Sequence, residues 1–213
     1  MTVEISKIEL MYFQNKIIGW GSENFRSFTW RYSNNKWHCL VAEIMLQRTR
    51  AEQVEPIYKE LVAKYEKPQD WLNNPDMHTF TSLGLPDRAN QFLKLNKIIA
   101  INELPATKVD LMKLPGVGEY IASAFLSLHL GKRAFLIDSN IVRVYGRFFG
   151  FNTDGETRRK KWFNELADRL TPTKNHRNYN YAIIDFSREV CKPRPLCNLC
   201  PVKRKCKFFA TTI

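Results

Sequence analysis

Four of the five cysteines in this 213-residue chain lie within sixteen residues near its end, and this cluster constrains the fold more than any other feature. They are Cys191, Cys197, Cys200 and Cys206. Four thiolates at such short separations suit either a tetrahedral Zn²⁺ site or a cubane [4Fe–4S] cluster, and spacing alone leaves both open. The sequence therefore predicts that residues 191–206 wrap around a metal centre.

Apolar residues recur at helical spacing along the rest of the chain, and no run alternates as a strand does. One predicted helix follows the Asn34–Asn35 turn and carries Trp37 and Leu40 on its apolar face. Another runs from about Ser139 to Phe149 and stops at Gly150. A further helix is opened by the glycines near residue 117 and continues through Leu128. These patterns predict an all-α fold.

The charge balance indicates a polyanionic partner. Lys and Arg number 33 against 21 Asp and Glu, which gives a net charge of +12 and a pI near 9.6. No apolar run is long enough for a membrane span, and no signal peptide is recognisable. We therefore expect an intracellular protein that binds nucleic acid, in a compartment where disulfides are rare.

A glycine-containing hairpin offers a contact for phosphate. Gly116, Val117 and Gly118 join two helical segments, and glycine lets the backbone come close to a ligand. Amides at the start of the following helix suit a phosphate oxygen. The motif is weak by itself and gains weight from the net charge.

Two carboxylates stand out. Asp138 follows an apolar run and opens a helix, which is typical of an N-cap residue but also fits a catalytic carboxylate. The two interpretations are compatible if Ser139 does the capping. A fixed anion there would stabilise the oxocarbenium character of a glycosidic bond in cleavage, or activate water. Glu43 lies in an apolar helix and must be paired, neutralised or facing a cavity. If burial raises its pKa, Glu43 suits a general acid that protonates a leaving base.

In order and separation, the hairpin, Asp138 and the four cysteines resemble the helix-hairpin-helix (HhH-GPD) DNA glycosylases of the endonuclease III and adenine-glycosylase (MutY) superfamily. The resemblance implies two helical lobes. A six-helix barrel lobe spans 26–133, and a cluster lobe combines 1–25 with 134–213 and carries a [4Fe–4S] loop at 191–206. Double-stranded DNA with a mismatched or damaged base is implied in the groove between them, with the target base flipped into a pocket. We expect a monomer acting in base excision repair.

The resemblance also implies roles for single residues. Asp138 matches the catalytic aspartate, and Tyr120 stands where members that also cut the backbone carry a Schiff-base lysine. A phenol forms no imine, so a monofunctional glycosylase is implied. The first cysteine gap is five residues where the family usually has six.

Further DNA contacts follow by analogy. Gln47 or Arg48 would fill the gap left by the flipped base, Leu85 would press on the orphan guanine, and Asn140 follows Asp138 in the family motif. A monovalent cation at the hairpin is also implied.

Departures from the adenine-glycosylase pattern reduce the number of target bases that the sequence favours. Glu43 and Tyr120 occur both in adenine glycosylases and in the archaeal-type enzymes that remove thymine or uracil opposite guanine. Arg48 in place of a glutamine, Ser139 in place of a glycine, and the segments 143–149 and 181–187 are more similar to the second group. The alternatives are an adenine glycosylase acting on A:G or A:8-oxoG, a glycosylase for another modified pyrimidine, and a non-catalytic mismatch-binding module.

Overall fold

The computed structural model describes residues 5–81, 83 and 86–211, which are helical without any strand. This confirms the all-α prediction. The helices in this part of the chain are α1 (Lys7–Glu23), α2 (Lys36–Met45), α3 (Ala51–Lys64), α4 (Pro68–Asn73), α5 (His78–Thr81), α6 (Pro86–Ile99), α7 (Lys108–Leu111), α8 (Glu119–Ala124), α9 (Ser139–Phe149), α10 (Lys161–Leu170), α11 (His176–Glu189) and α12 (Lys207–Ala210). Over the described residues, none of them has both the length and the apolar character that crossing a membrane requires.

Polar caps set several helix boundaries at the positions that the sequence indicates. Ser6 and Glu9 form a reciprocal capping box at the start of α1. The Asn35 side chain accepts from the first backbone N–H groups of α2. Gly150 ends α9 in the left-handed conformation, with φ of +76°, which costs glycine little.

The contacts divide the chain into two compact units. One is Ser27–Lys132, and the other combines Met1–Arg26 with Arg133–Ile213. The predicted barrel lobe, 26–133, extends one residue beyond the unit Ser27–Lys132 at either end. The DNA-binding groove between the lobes stays a prediction.

The unit Ser27–Lys132 has α2 at its centre, in contact with α3, α8 and the turn that follows α8. Aromatic side chains fill the space around α4, α5 and α6. There the ring of Phe92 lies 4.9 Å from that of Trp71 and 4.7 Å from that of Phe80, and all three side chains are buried. Within this core the indole N–H of Trp37 donates to Asn96 at 2.8 Å, which satisfies two buried polar groups.

The other unit is built on the packing of α1 against α11. The helices approach so closely at Gly21 that a methyl group there would overlap Cβ of Ala182. Phe13 of α1 is fully buried, and its ring lies 4.7 Å from that of Phe148 in α9. A small residue and a large one on the same helix thus fix how deep α1 lies in this core.

The segment after α8 continues the helix with a different hydrogen-bond pattern. Phe125–His129 form a π-helical turn, in which the N–H of Leu130 donates to the carbonyl of Phe125, five residues earlier, at 3.1 Å. A π turn contains one residue more than an α turn, so the side chains that follow point in a different direction. The chain is thus helical through Leu128, as the sequence predicts, with a π turn in place of the last α turn.

Candidate functional site

Asp138 is held rigidly at the first turn of α9. Its Oδ1 accepts the backbone N–H of Ile141 at 2.7 Å, and its Oδ2 accepts from the side-chain amide of Asn140 at 3.1 Å. Asp138 itself is therefore the N-cap, and the idea that Ser139 caps the helix was wrong. Because the carboxylate is half-buried and bonded through both oxygens, its negative charge is fixed in place.

Arg143, one turn further along α9, links Asn140 to the start of the cysteine segment. Its Nη1 donates to Oδ1 of Asn140 at 2.9 Å, and its Nε donates to the carbonyl of Cys191 at 3.0 Å. Nη2 donates to the carbonyl of Ser187 at 2.8 Å. One guanidinium thus connects Asn140, which bonds Asp138, with the backbone of Cys191, a predicted metal ligand. A lysine side chain could not make these contacts together, because it lacks the planar, multidentate guanidinium group.

The four cysteines of the C-terminal segment line one pocket that is partly open to solvent. The rest of the lining is mainly apolar and includes Phe186 and Leu196. Arg147 borders the same pocket, and its guanidinium donates to the carbonyls of Lys192 and Pro193 at 2.7 and 2.9 Å. The chain thus brings the four thiols together around a common space, as the resemblance implies.

Burial acts strongly on these thiols. It raises the pKa of Cys200 to about 11 and also raises the pKa of Cys191 and Cys206, and neighbouring cysteines raise all three further. Four thiolates therefore require a cationic centre between them. Among the described residues, no three His, Cys, Asp or Glu side chains are close enough to share one metal ion. Zn²⁺ and an iron–sulfur cluster are both centres that four such thiolates bind.

Glu43 is paired, which is one of the possibilities that its apolar helix left open. Its side chain is 4% exposed, and Oε1 lies 2.9 Å from Nε2 of His129, whose side chain is 1% exposed. Burial opposes a charge on the imidazole, but hydrogen bonds with Cys39 and Glu43 outweigh it and raise the pKa of His129 to about 9. Sequence reasoning missed His129, although a histidine within the apolar run Ala122–Leu130 was a signal.

The hairpin between α7 and α8 takes the conformation that its glycines allow. Gly116 has φ of +80°, and the N–H of Val117 donates to the carbonyl of Leu114 at 3.1 Å to close the turn. The Val117 side chain is buried, whereas Gly118 is extended and exposed. Of the three hairpin residues predicted to contact DNA, Val117 therefore mainly holds the turn together, and the exposed one, Gly118, is freest to approach a ligand.

Residues after α2 approach the hairpin. The side-chain amide of Gln47 donates to the carbonyl of Gly116 at 3.0 Å, so Gln47 supports the hairpin. Arg48 is exposed, and its φ of 60° places its backbone in the left-handed region that non-glycine residues rarely adopt. Arg88, which sequence reasoning missed, also donates to Gly116 at 3.4 Å; burial and the nearby Arg48 lower its pKa. A cation at the hairpin would have to use carbonyls other than that of Gly116.

The remaining predicted site residues fall in different parts of the molecule. Tyr120 is half-buried in the first turn of α8, which packs against α2. Leu85 lies outside the described residues. Asp138 belongs to one unit and Glu43 and Tyr120 to the other, and their sharing of a pocket stays a prediction.

Comparison with known proteins gives a match over most of the chain. Residues 41–170 fit the family described as "HhH-GPD superfamily base excision DNA repair protein". The chain belongs to this superfamily. The matched region contains the hairpin, Glu43 and Asp138, and so includes every predicted catalytic residue.

Individual relatives cover the chain almost completely. It is 32% identical to a thymine/uracil-DNA glycosylase of Methanothermobacter thermautotrophicus, over 92% of this chain and 93% of the relative. An adenine DNA glycosylase of Buchnera aphidicola subsp. Schizaphis graminum is 31% identical over 91% of this chain, which spans 58% of that relative. Among solved structures, a thermostable thymine-DNA glycosylase superposes with a TM-score of 0.88 at 31% identity, covering 96% of this chain and 98% of that one.

Proposed function

We propose that this protein is a monofunctional DNA N-glycosylase that removes thymine or uracil mispaired with guanine and leaves an abasic site. The observation that carries the proposal is the fixed carboxylate of Asp138. The family resemblance implies that this residue is the catalytic aspartate. Thymine/uracil-DNA glycosylases are among the relatives at 30% identity or more, and a thymine-DNA glycosylase superposes on the chain with a TM-score of 0.88. These similarities favour the pyrimidine substrate.

Asp138 acts on the sugar. As the bond between C1′ and the base breaks, positive charge develops on the sugar ring, and a carboxylate that does not need to reorganise stabilises that charge. The N–H of Ile141 and the amide of Asn140 hold both oxygens, so the anion keeps its orientation. Arg143 in turn orients Asn140.

Glu43 acts on the departing base. Its side chain is 4% exposed and paired with His129, which supplies a proton within hydrogen-bond distance of Oε1. A carboxyl group that holds this proton protonates the leaving base and prevents it from departing as a bare anion.

Base release without strand cleavage follows from Tyr120. The family's lyase step needs an amine that forms an imine with C1′, and a phenol has none. The reaction therefore ends with water adding to C1′, which gives an abasic site and the free base.

DNA is held by the hairpin and the basic surface. Gly118 is exposed, and no protein atom lies within 4 Å of the point where a Cβ would stand. Because glycine has no side chain to fill this space, the sugar–phosphate backbone can approach the chain closely here. Exposed Arg48 is the better candidate to enter the gap left by the flipped base, because Gln47 is bonded to the hairpin. Target flipping costs a few kcal/mol of unstacking, and filling the gap offsets part of it.

The four cysteines would hold a [4Fe–4S] cluster. The support is that all four line one pocket, together with the resemblance of their spacing to the family's cluster motif. When bound, the cluster cross-links residues 191–206 and so stabilises their fold. Arg143 and Arg147 then tie this segment to α9, the helix that carries Asp138.

The experiment is single-turnover base release from duplexes containing T:G, U:G, A:G and A:8-oxoG. We expect release from T:G and U:G, and a loss on the order of 10³-fold in Asp138→Asn, with mismatch binding retained. Asp154→Asn is the matched control. Asp154 also accepts from a backbone N–H, that of Glu156 at 3.0 Å, but it is an exposed carboxylate outside the family motif.

An adenine glycosylase is the second candidate, favoured by the Buchnera relative. Release confined to A:G or A:8-oxoG would establish it and overturn the pyrimidine substrate. If the wild-type protein binds all four duplexes and frees no base, the protein is a mismatch-binding module and the proposed enzyme activity is wrong.

A further inference from the structure

We propose that His129 is the positioning residue of Glu43 and stores the proton that Glu43 gives to the departing base. This inference rests on the proposed function, because it assigns Glu43 a role in base release. It adds a residue outside the hairpin, Asp138 and cysteine motifs by which the family is recognised.

The first observation is the isolation of the pair. His129 and Glu43 are 86 residues apart in sequence, yet their side chains meet at 2.9 Å and are 1% and 4% exposed. Their neighbours along α2, Ala42 and Ile44, are apolar and buried. A buried ion pair gains little stability over apolar packing, because both partners lose their hydration. A histidine is therefore not required here for the stability of the core.

The second observation is the backbone conformation that positions the imidazole of His129. His129 ends the π-helical turn Phe125–His129, which leaves the i→i−4 pattern for one turn. Such turns are less favourable than continued α-helix and occur often at functional sites. A π turn contains one residue more than an α turn, so the side chain at its end points in a different direction from the one it would have in a regular helix. The π turn thus directs His129 toward Glu43.

The third observation concerns the groups that face the imidazole. Those that act on it are Cys39 and Glu43, both on α2. Tyr58 interacts electrostatically with Cys39, and burial raises the pKa of Tyr58 to about 12, so it stays neutral. The hydrogen bonds from α2 keep the imidazole protonated near neutral pH, although burial opposes this. The pair therefore holds one proton more than the carboxylate alone.

The proton balance is complete within the proposed reaction. The imidazolium of His129 gives its proton to Glu43 through the 2.9 Å contact, and the carboxyl group gives it to the base as the glycosidic bond breaks. Water then adds to C1′, and the proton it releases returns to His129. Bond cleavage and water addition yield the free base and the abasic site, with no other reactant.

One test measures the pair without any substrate. The chain has only four histidines, so the imidazole signals of the free protein can be assigned and titrated by NMR. We expect the pKa of His129 to be about 9 in the wild-type protein. In Glu43→Gln we expect its acid dissociation constant to be at least about tenfold larger. A value near the ordinary 6.5 in the wild type, or no change in Glu43→Gln, would overturn the inference.

The second test is the pH profile of single-turnover base release by His129→Gln. Glutamine keeps a hydrogen-bond donor of similar reach but stores no proton. We expect a loss of about 10²-fold at about pH 8.5 and a much smaller loss at about pH 5.5, with unchanged affinity for DNA. His78→Gln, at an exposed position, is the control. A structural role would instead lower the rate equally at every pH.

A double variant tests whether His129 acts through Glu43. Adding His129→Gln to Glu43→Gln should cause no further loss, because the proton has lost its acceptor. If His129→Gln does not fold, the NMR titration of the wild-type protein decides. A wild-type protein that releases no base refutes the proposed function, whereas an active wild type with an unaltered profile in His129→Gln refutes only this inference.

Discussion

Raising the pH from about 6 to about 10 should destabilise the unit Ser27–Lys132 through one buried group, His129. Burial, the largest effect, opposes its charge, yet the hydrogen bonds with Cys39 and Glu43 raise its pKa from 6.5 to about 9. Because the folded-state pKa is raised, the folded protein keeps a proton that the unfolded chain has released. The stabilisation is complete below pH 6.5 and disappears as the pH rises through about 9.

The magnitude follows from the same values. At about 1.36 kcal/mol for each pKa unit, the difference between 6.5 and about 9 corresponds to about 3 kcal/mol. No discount for solvent screening applies, since the imidazole is 1% exposed. The unfolding free energy of the wild-type protein should therefore fall by about 3 kcal/mol more than that of His129→Gln between about pH 6 and about pH 10.

The assay is urea unfolding followed by circular dichroism at both pH values. Comparing the two proteins cancels the titration of the groups whose surroundings are the same in both. The exposed His78→Gln should follow the wild type. Equal losses of stability in wild type and His129→Gln would show that the buried imidazole is neutral in the folded protein, and the reasoning about the ion pair would then be wrong.

Four further outcomes are expected. Borohydride should trap no covalent protein–DNA adduct, because Tyr120 offers no amine; a clear adduct would contradict the monofunctional assignment. Protein purified without oxygen should contain iron and acid-labile sulfide, whereas stoichiometric zinc without sulfide would rule out the cluster. Arg143→Lys keeps the charge but loses the three-way fork, so we expect at least about 1.5 kcal/mol lower stability and slower base release, measured by urea unfolding and single-turnover kinetics. Gly21→Ala should cost about 1–3 kcal/mol through overlap with Ala182, and a second change, Ala182→Gly, should recover part of that loss; additive losses in the double variant would contradict the close approach.

The parts of the fold that sequence predicted are those set by local chemistry. Asn35 and Gly150 fix helix ends through backbone groups within a few residues, so their effect is visible in the chain itself. The cysteine spacing likewise brings the four thiols to one pocket because the ligands are close in sequence.

Features that depend on hydrogen-bond register or distant partners were not predictable. The π turn at Phe125–His129 differs from an α turn by one residue, and its apolar residues still fit helical spacing. The contact between His129 and Glu43 joins positions 86 residues apart, and nothing near either one indicates the other. For Asp138, the sequence offered cap and catalytic carboxylate as competing roles. In the structure the cap is what fixes the carboxylate.

The close packing of α1 on α11 bears on the order in which the chain becomes structured during synthesis. Residues 27–132 form a continuous unit and have all their internal partners once they have left the ribosome. The helix α1 is made first, but Phe13 and Gly21 find their partners only in residues beyond Arg133. The apolar face of α1 therefore stays uncovered until α11, His176–Glu189, has also been made. Until then this face can form non-native apolar contacts.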